Sequence, residues 1–297
     1  MIMICAVANV SRADPSTSVY ELSLAELLQV DISVASKKSE RIIDTPAVVS
    51  RYEASDMAKM GLRTLKEILS FIPGFVLQNT RAGNTSVMIR GLAEGFNQKV
   101  LFLIDDVPYW MPAHSEIPLL GIPIESISHV EVIRGPGAVY YGTNASAGVI
   151  KVVTKKTDEN VVALSAGSNG RVQGSHYQYQ QLDDNSSLSF AVEAQREDGY
   201  KGSFKNVPKQ ANYPAETPDD GKITMSEEMK SFLARYTNED FNVLVQTYQS
   251  TNNKHDAPTS LNVASHLKYT GYLFHVDNTW HTENAEFMLF SDYNKFF

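Results

Sequence analysis

A chain of 297 residues, 43% hydrophobic, has material for one or two cored domains, and a net charge of −8 without any basic block or stripe excludes a nucleic-acid partner. The lone cysteine, Cys5, excludes an intramolecular disulfide framework and any multi-cysteine metal site. No apolar run approaches the 18 residues of a membrane-spanning helix, so a membrane could be crossed only by β-strands closing into a barrel.

The first residues, MIMICAVANVSRADPS, join an apolar run to Ala6-Val7-Ala8, a small-x-small cleavage pattern without the basic start of a signal. Residues 1–8 read as a remnant signal peptide whose front is lost, or as a short apolar tail, and residues 9–36 as a linker. Lys37-Lys38 and Glu40-Arg41 read as a solvated face. Ser55-Asp56 can cap a short helix ended by Gly61. Thr64-Leu65-Lys66-Glu67 is a capping box whose helix buries Leu65, Ile68, Leu69 and Ile72 before Pro73-Gly74 stops it. Strands are expected at Ala47–Tyr52, Phe75–Leu77, Val87–Arg90, Val100–Ile104, His129–Arg134 and Val149–Thr154. Together these make a compact domain of mixed helices and strands over residues 37–156.

From residue 157 the apolar period is two and the segments lengthen. Leu188, Phe190, Val192 and Ala194 alternate with Ser189, Ala191, Glu193 and Gln195. Phe241, Val243 and Val245 alternate with Asn242, Leu244 and Gln246, and Tyr272, Phe274, Val276 and Trp280 share a face opposite Leu273, His275, Asp277 and Thr279. Short turns at Asp183-Asp184-Asn185 and Asn238-Glu239-Asp240 alternate with long polar connections at Gly199–Met225 and Ser250–Ala264. Short turns at one end, long loops at the other and strands apolar outward and polar inward are the pattern of a transmembrane β-barrel, with a soluble β-sandwich as the alternative.

Between the two regions, VEVIRGPGAVYYGTNASAGVIKVVTKK sets glycines between β-branched runs. A dinucleotide fingerprint fails because Tyr140 stands at the third glycine's place, and a phosphate loop fails because Gly142 is followed by Thr143 with no lysine before Lys151. Val149, Ile150, Val152 and Val153 continue as a strand, whereas both nucleotide motifs open a helix. Gly135, Pro136, Gly142 and Gly148 are therefore expected to serve a structural turn, through positive φ or close chain approach.

The run IPIESISHVEVIRGPGAVYYGTNASAGVIKVVTKK, with TPAVVSRYEASDMAKMGLRTLKEILSFIPGFVL, SVMIRGL and VLFLIDDVPY upstream, resembles the plug domain of TonB-dependent outer-membrane receptors, in order over residues 31–156. Two departures are Asp105-Asp106, where the family has Asp-Gly, and His129, at a place often held by Glu or Arg. The resemblance implies an α+β plug followed by antiparallel transmembrane β-barrel strands. Such receptors have barrels of about 22 strands, while the roughly 140 residues after Lys156 suffice for about seven strands, so an incomplete barrel is expected.

The same resemblance implies roles. Asp31, Ile32, Ser33, Val34, Ala35 and Ser36 occupy the place of the TonB box, where the physical requirement is an extended segment able to add a strand to the C-terminal domain of TonB; a plain polar linker is the alternative. Arg90 and Arg134 match two arginines that lock the plug to barrel carboxylates, with Glu131 as a local partner. Arg81, Asn84, Tyr109, Trp110 and His114 lie on the loops expected to meet ligand, a small metal chelate or macrocycle. Met111 with His114 makes no metal site, since two ligands are too few. Outer-membrane lipid is the other partner, no cofactor is implied, and no catalytic motif of hydrolase or metalloprotease type is present. The expected function is energy-coupled uptake of a ferric siderophore or cobalamin-like ligand. The rivals are a soluble periplasmic plug-like binding or signalling module and an inactive gene fragment.

Overall fold

The computed structural model describes residues 31–32, 40–41, 48–79, 85–91, 99–110, 117–119, 121–135, 141, 143–199, 201–204, 221–253, 266–281 and 286–296. Strands β1 (Asp31–Ile32) and β2 (Glu40–Arg41) pair antiparallel at the start. The plug follows: β3 (Val49–Glu53), α1 (Ala54–Lys59), α2 (Leu65–Phe71), the hairpin β4 (Phe75–Asn79) and β5 (Thr85–Ile89), then β6 (Val100–Ile104), β7 (Val107–Pro108), β8 (Ile127–Arg134) and β9 (Gly148–Thr154). Five of these form one sheet in the order β3-β8-β9-β6-β7, in which β6 and β9 run parallel. β6, VLFLI, is buried at every position, as an unbroken apolar run covered on both faces should be.

α2 starts as the capping box predicts. The Thr64 hydroxyl accepts the Glu67 amide at 3.2 Å, and the Glu67 carboxylate takes the Arg63 amide at 2.6 Å. Leu65, Ile68, Leu69 and Ile72 are all buried. α1 departs from the expectation. It begins at Ala54 with Glu53 as an N-cap that makes no capping bond, because the Glu53 carboxylate is engaged by Arg51 at 2.6 Å. Asp56 is inside the first turn, where a carboxylate faces the positive helix end, and it accepts Lys59 at 3.2 Å.

Both structural readings of the glycine-rich turn are visible. Gly135 has φ +144°, a value open chiefly to glycine. A Cβ on Gly148 would stand 2.5 Å from the Ile133 carbonyl oxygen and 2.7 Å from Ile89 Cδ1, so the two strands approach too closely there for any side chain. Pro136 and Gly142 lie outside the described residues.

After the plug come β10 (Asn160–Ala166), β11 (Val172–Gln181), β12 (Ser187–Glu197), a short hairpin of β13 (Lys201–Phe204) and β14 (Gly221–Thr224), β15 (Glu227–Thr237), β16 (Phe241–Asn253), β17 (His266–His281) and β18 (Glu286–Phe296). β10, β11, β12, β15, β16, β17 and β18 form one antiparallel sheet of seven strands, the number the chain length suggested. The Asp183 carboxylate closes the β11–β12 turn by accepting the amides of Ser186 at 2.7 Å and Asn185 at 2.9 Å. No described helix is long and apolar enough to cross a membrane.

The period of two divides this wall into two faces. Val162, Leu164, Leu188, Val192, Phe274 and Trp280 are exposed, while Ser175, Ser189, Glu193, Gln195, Ser231, Gln246 and Ser250 are buried on the other side. The inner face is buried because the plug covers it. Leu233, Leu244, Tyr248 and Leu273, apolar exceptions on that face, join the plug's own core with Phe102, Tyr109, Ile117, Leu119 and Ile122.

Candidate functional site

The chemistry of this chain is concentrated at the seam between plug and wall. Each wall strand from β11 to β16 reaches the plug with a polar side chain. Gln173 donates to the Arg63 carbonyl at 3.0 Å, and Arg171 pairs with Glu67. Tyr177 donates to the Lys155 carbonyl at 3.1 Å, and the Glu193 carboxylate accepts the Ile124 amide at 2.8 Å. Gln246 donates to the Gly121 carbonyl. These bonds are directional and act over short distances, so they hold the plug in one seat while a modest displacement releases them.

The most buried charge pair of the seam is Asp105 with Arg235. Asp105 and Asp106 form the β6–β7 turn with φ +47° and +74°, a geometry aspartate tolerates better than most residues. Their side chains go to different partners. Asp106 accepts Lys151 at 2.6 Å. Asp105 accepts the Thr154 amide at 2.8 Å, the Thr154 hydroxyl at 2.5 Å and Arg235 Nη1 at 2.5 Å. The two charged side chains are one-tenth exposed or less. The Arg235 guanidinium, together with partial burial, pushes the Lys156 ammonium below the usual lysine range, and Asp105 offsets part of that effect.

Behind Arg235 a polar chain continues along the wall. Nε donates to Asn242 Oδ1 at 2.9 Å, Asn242 Nδ2 donates to Asp277 Oδ2 at 2.6 Å, and His275 Nε2 meets the same Asp277 oxygen at 2.8 Å. His275 Nδ1 meets Asp292 Oδ1. Four adjacent strands, β15 to β18, thus contribute to the placement of one guanidinium.

The residues singled out from the sequence fall into three groups. Asp31 and Ile32 are in the paired strand β1, whereas Ser33, Val34, Ala35 and Ser36, and the loop residues Arg81, Asn84 and His114, lie outside the described residues. Arg134 donates to the Pro73 carbonyl at 3.3 Å and to the Ser50 hydroxyl, both within the plug. Arg90 is exposed at φ +52°, its amide on the Gly74 carbonyl at 2.8 Å. Glu131 is buried in β8 with His129 Nε2 at 3.2 Å. Tyr109 is fully buried, 6.3 Å from Phe102 between ring centroids, and its phenol is pushed well above its ordinary value by burial and then by Tyr248; the structure thus places it in the plug–wall core and not on an outward loop. Trp110 packs half-buried on Leu101, Leu103, Ile133, Ala145 and Val149.

Sequence reading missed Arg235. The available signal was parity: Phe232, Ala234 and Tyr236 pair with the outward residues Val192, Phe190 and Leu188, so an arginine at 235 must point inward.

A small α+β domain seated on the polar face of a wall whose other face is apolar is a plug-and-wall architecture. Residues 41–149 match the TonB-dependent Receptor Plug Domain family model. Among curated proteins it is 36% identical over 136 residues to "Vitamin B12 transporter BtuB" of Vibrio vulnificus, covering 44% of this chain and 21% of the relative. It is 25% identical over 162 residues to "Iron-regulated outer membrane virulence protein" of Vibrio cholerae, covering 48% and 22%. Among solved structures, the ferric enterobactin receptor of Pseudomonas aeruginosa superposes with TM-score 0.61 at 19% identity, over 84% of this chain and 41% of that one. The ferric yersiniabactin uptake receptor of Yersinia pestis gives TM-score 0.60 at 16% identity with the same coverage. The chain therefore spans about a fifth of the length of these curated relatives.

Proposed function

We propose that this chain is the gate of an energy-coupled importer, with the plug blocking a barrel until TonB displaces it. The single observation that carries this reading is the plug's seat: its sheet packs on the inner face of the seven-stranded wall through releasable polar contacts, while the outer face presents apolar side chains to lipid. A water-soluble module would not expose Leu164, Phe274 and Trp280 along one face. The ligand is a scarce metal chelate, either a cobalamin-like corrinoid, as the name of the 36%-identical relative suggests, or a ferric siderophore, as the names of the structural neighbours suggest. The segment from Asp31 to Ser36 serves TonB; the extended backbone of Asp31–Ile32 is the form that strand addition requires. Arg90 and Arg134 with Glu131 complete the lock, and Trp110 with the loops around Arg81, Asn84 and His114 faces ligand.

Uptake of labelled cyanocobalamin and of ferric siderophores by cells lacking their own receptors tests this. Accumulation that an uncoupler abolishes is expected for one of the two ligands. Equal signals with and without the uncoupler, or none for either class, would overturn it.

A further inference from the structure

Two ion pairs that cross the seam differ in kind. Glu67 at the start of α2 is one-third exposed, and its partner Arg171 is partly open as well. Screening and solvent competition make such a pair weak. Asp105 and Arg235 are shielded, and neither charge can lose its partner without remaining desolvated.

We propose that Asp105–Arg235 is the fixed anchor of the plug, that Asn242, Asp277, His275 and Asp292 are positioning residues for its guanidinium, and that the plug moves at its other end, around β3, α1 and α2. One carboxylate gathers the β6–β7 turn, the last residue of β9 and the wall, since Asp105 holds the Thr154 amide, the Thr154 hydroxyl and Arg235 Nη1 together. Arginine can only donate, so Asn242 Oδ1 must accept from Arg235 Nε, which turns Asn242 Nδ2 toward Asp277. Both ring nitrogens of His275 face carboxylate oxygens, of Asp277 and Asp292, and hold Asp277 in place from the far side. Among the described residues, every support of the guanidinium except Asp105 and Thr154 belongs to the wall, so the site stays aimed while the rest of the plug is displaced. At the other end, the contacts that displacement breaks include the weaker Arg171–Glu67 pair and the Gln173 bond to the Arg63 carbonyl. The hinge then lies next to Lys155 and Lys156, where the chain passes from plug to wall.

Hydrogen–deuterium exchange of the whole receptor in detergent micelles tests this without ligand or TonB, so it can fail while the uptake reading stands. R235Q and D105N should each raise exchange of residues 100–108 and 148–156 by about tenfold or more. The double variant should exceed the larger single by little, because either change alone already breaks the pair. H275Q and R235K should give smaller increases in the same segments, and they keep the test available if R235Q does not fold. R171Q should raise exchange in residues 63–79 and leave 148–156 as in the parent. Unchanged exchange at 100–108 in R235Q, H275Q and R235K, or a double variant equal to the product of the singles, or R171Q loosening 148–156, would overturn the anchor.

Discussion

Gly148→Ala is the smallest change that tests how the plug sheet is closed. The added methyl would lie 2.5 Å from the Ile133 carbonyl oxygen, about 0.9 Å inside ordinary van der Waals contact. The second clash, with Ile89 Cδ1 at 2.7 Å, could be relieved by a rotamer change, but the first is with backbone. Relief must separate β8 from β9 at the Arg134–Gly148 pairing, where Gly135 also donates to the Ala147 carbonyl at 3.2 Å. Overpacking of this kind costs about 1–3 kcal/mol, and a weakened ladder bond adds about 1 kcal/mol, so a loss of about 2–4 kcal/mol is expected. With a urea dependence of about 2 kcal/mol per molar, the plug's unfolding midpoint should fall by about 1–2 M. Trp110 reports it, since it packs on Ile133 and Val149 beside the site, and the difference in emission between matched proteins with and without W110F isolates its signal. An unchanged midpoint would refute the claim that close strand approach is why glycine stands at 148.

Three further outcomes follow from the same geometry. Phe274→Arg puts a charge on the lipid face at a cost of about 2–4 kcal/mol near the bilayer centre, so membrane-inserted receptor should drop sharply on heat-modifiability gels, whereas Gln246→Lys on the inner face should insert normally. Asp183, held below the usual carboxylate range by Ser186 and then Asn185, stabilises the β11–β12 turn. Its folded pKa is depressed, so that stability is present above the unfolded value of about 4 and lost as pH falls through the lower folded value; exchange of residues 182–187 should rise below about pH 4, and D183A should show the fast rate at all pH values. Lys156 has the opposite sign for a base. Its charged form is disfavoured in the fold, chiefly by Arg235, so the penalty is present below the folded pKa and vanishes as pH rises past the unfolded value. K156M should therefore melt higher than the parent at pH 7, with the gain shrinking in alkaline buffer.

Much of this architecture was legible because local patterns and tertiary burial agree. Val100–Ile104 is apolar throughout and lies within the plug sheet, and the strands after residue 157 alternate as a two-faced wall must. Gly148 was legible as tight geometry because no nucleotide motif fits its spacing. The seam was not legible. Asp105 and Arg235 stand 130 residues apart, and no local rule connects a turn aspartate with an arginine on a distant strand. Tyr109 follows a short strand and reads as a loop aromatic, yet Phe102 and Tyr248, from two different domains of the fold, enclose it. The start of α1 was misplaced for a smaller reason: Arg51 occupies the carboxylate of Glu53, and the helix begins uncapped before Ser55.

If residues 48–154 form a plug shielded from lipid by a wall whose outer face touches it, the two indoles of this chain must report different surroundings. Trp280 is half exposed on the outward face of β17, and Trp110 packs half-buried against the plug. In vesicles of lipid brominated near the headgroup end of the acyl chain, the emission lost on W280F should be strongly quenched and the emission lost on W110F should not. Equal quenching of the two, or quenching of Trp110 alone, would contradict the account.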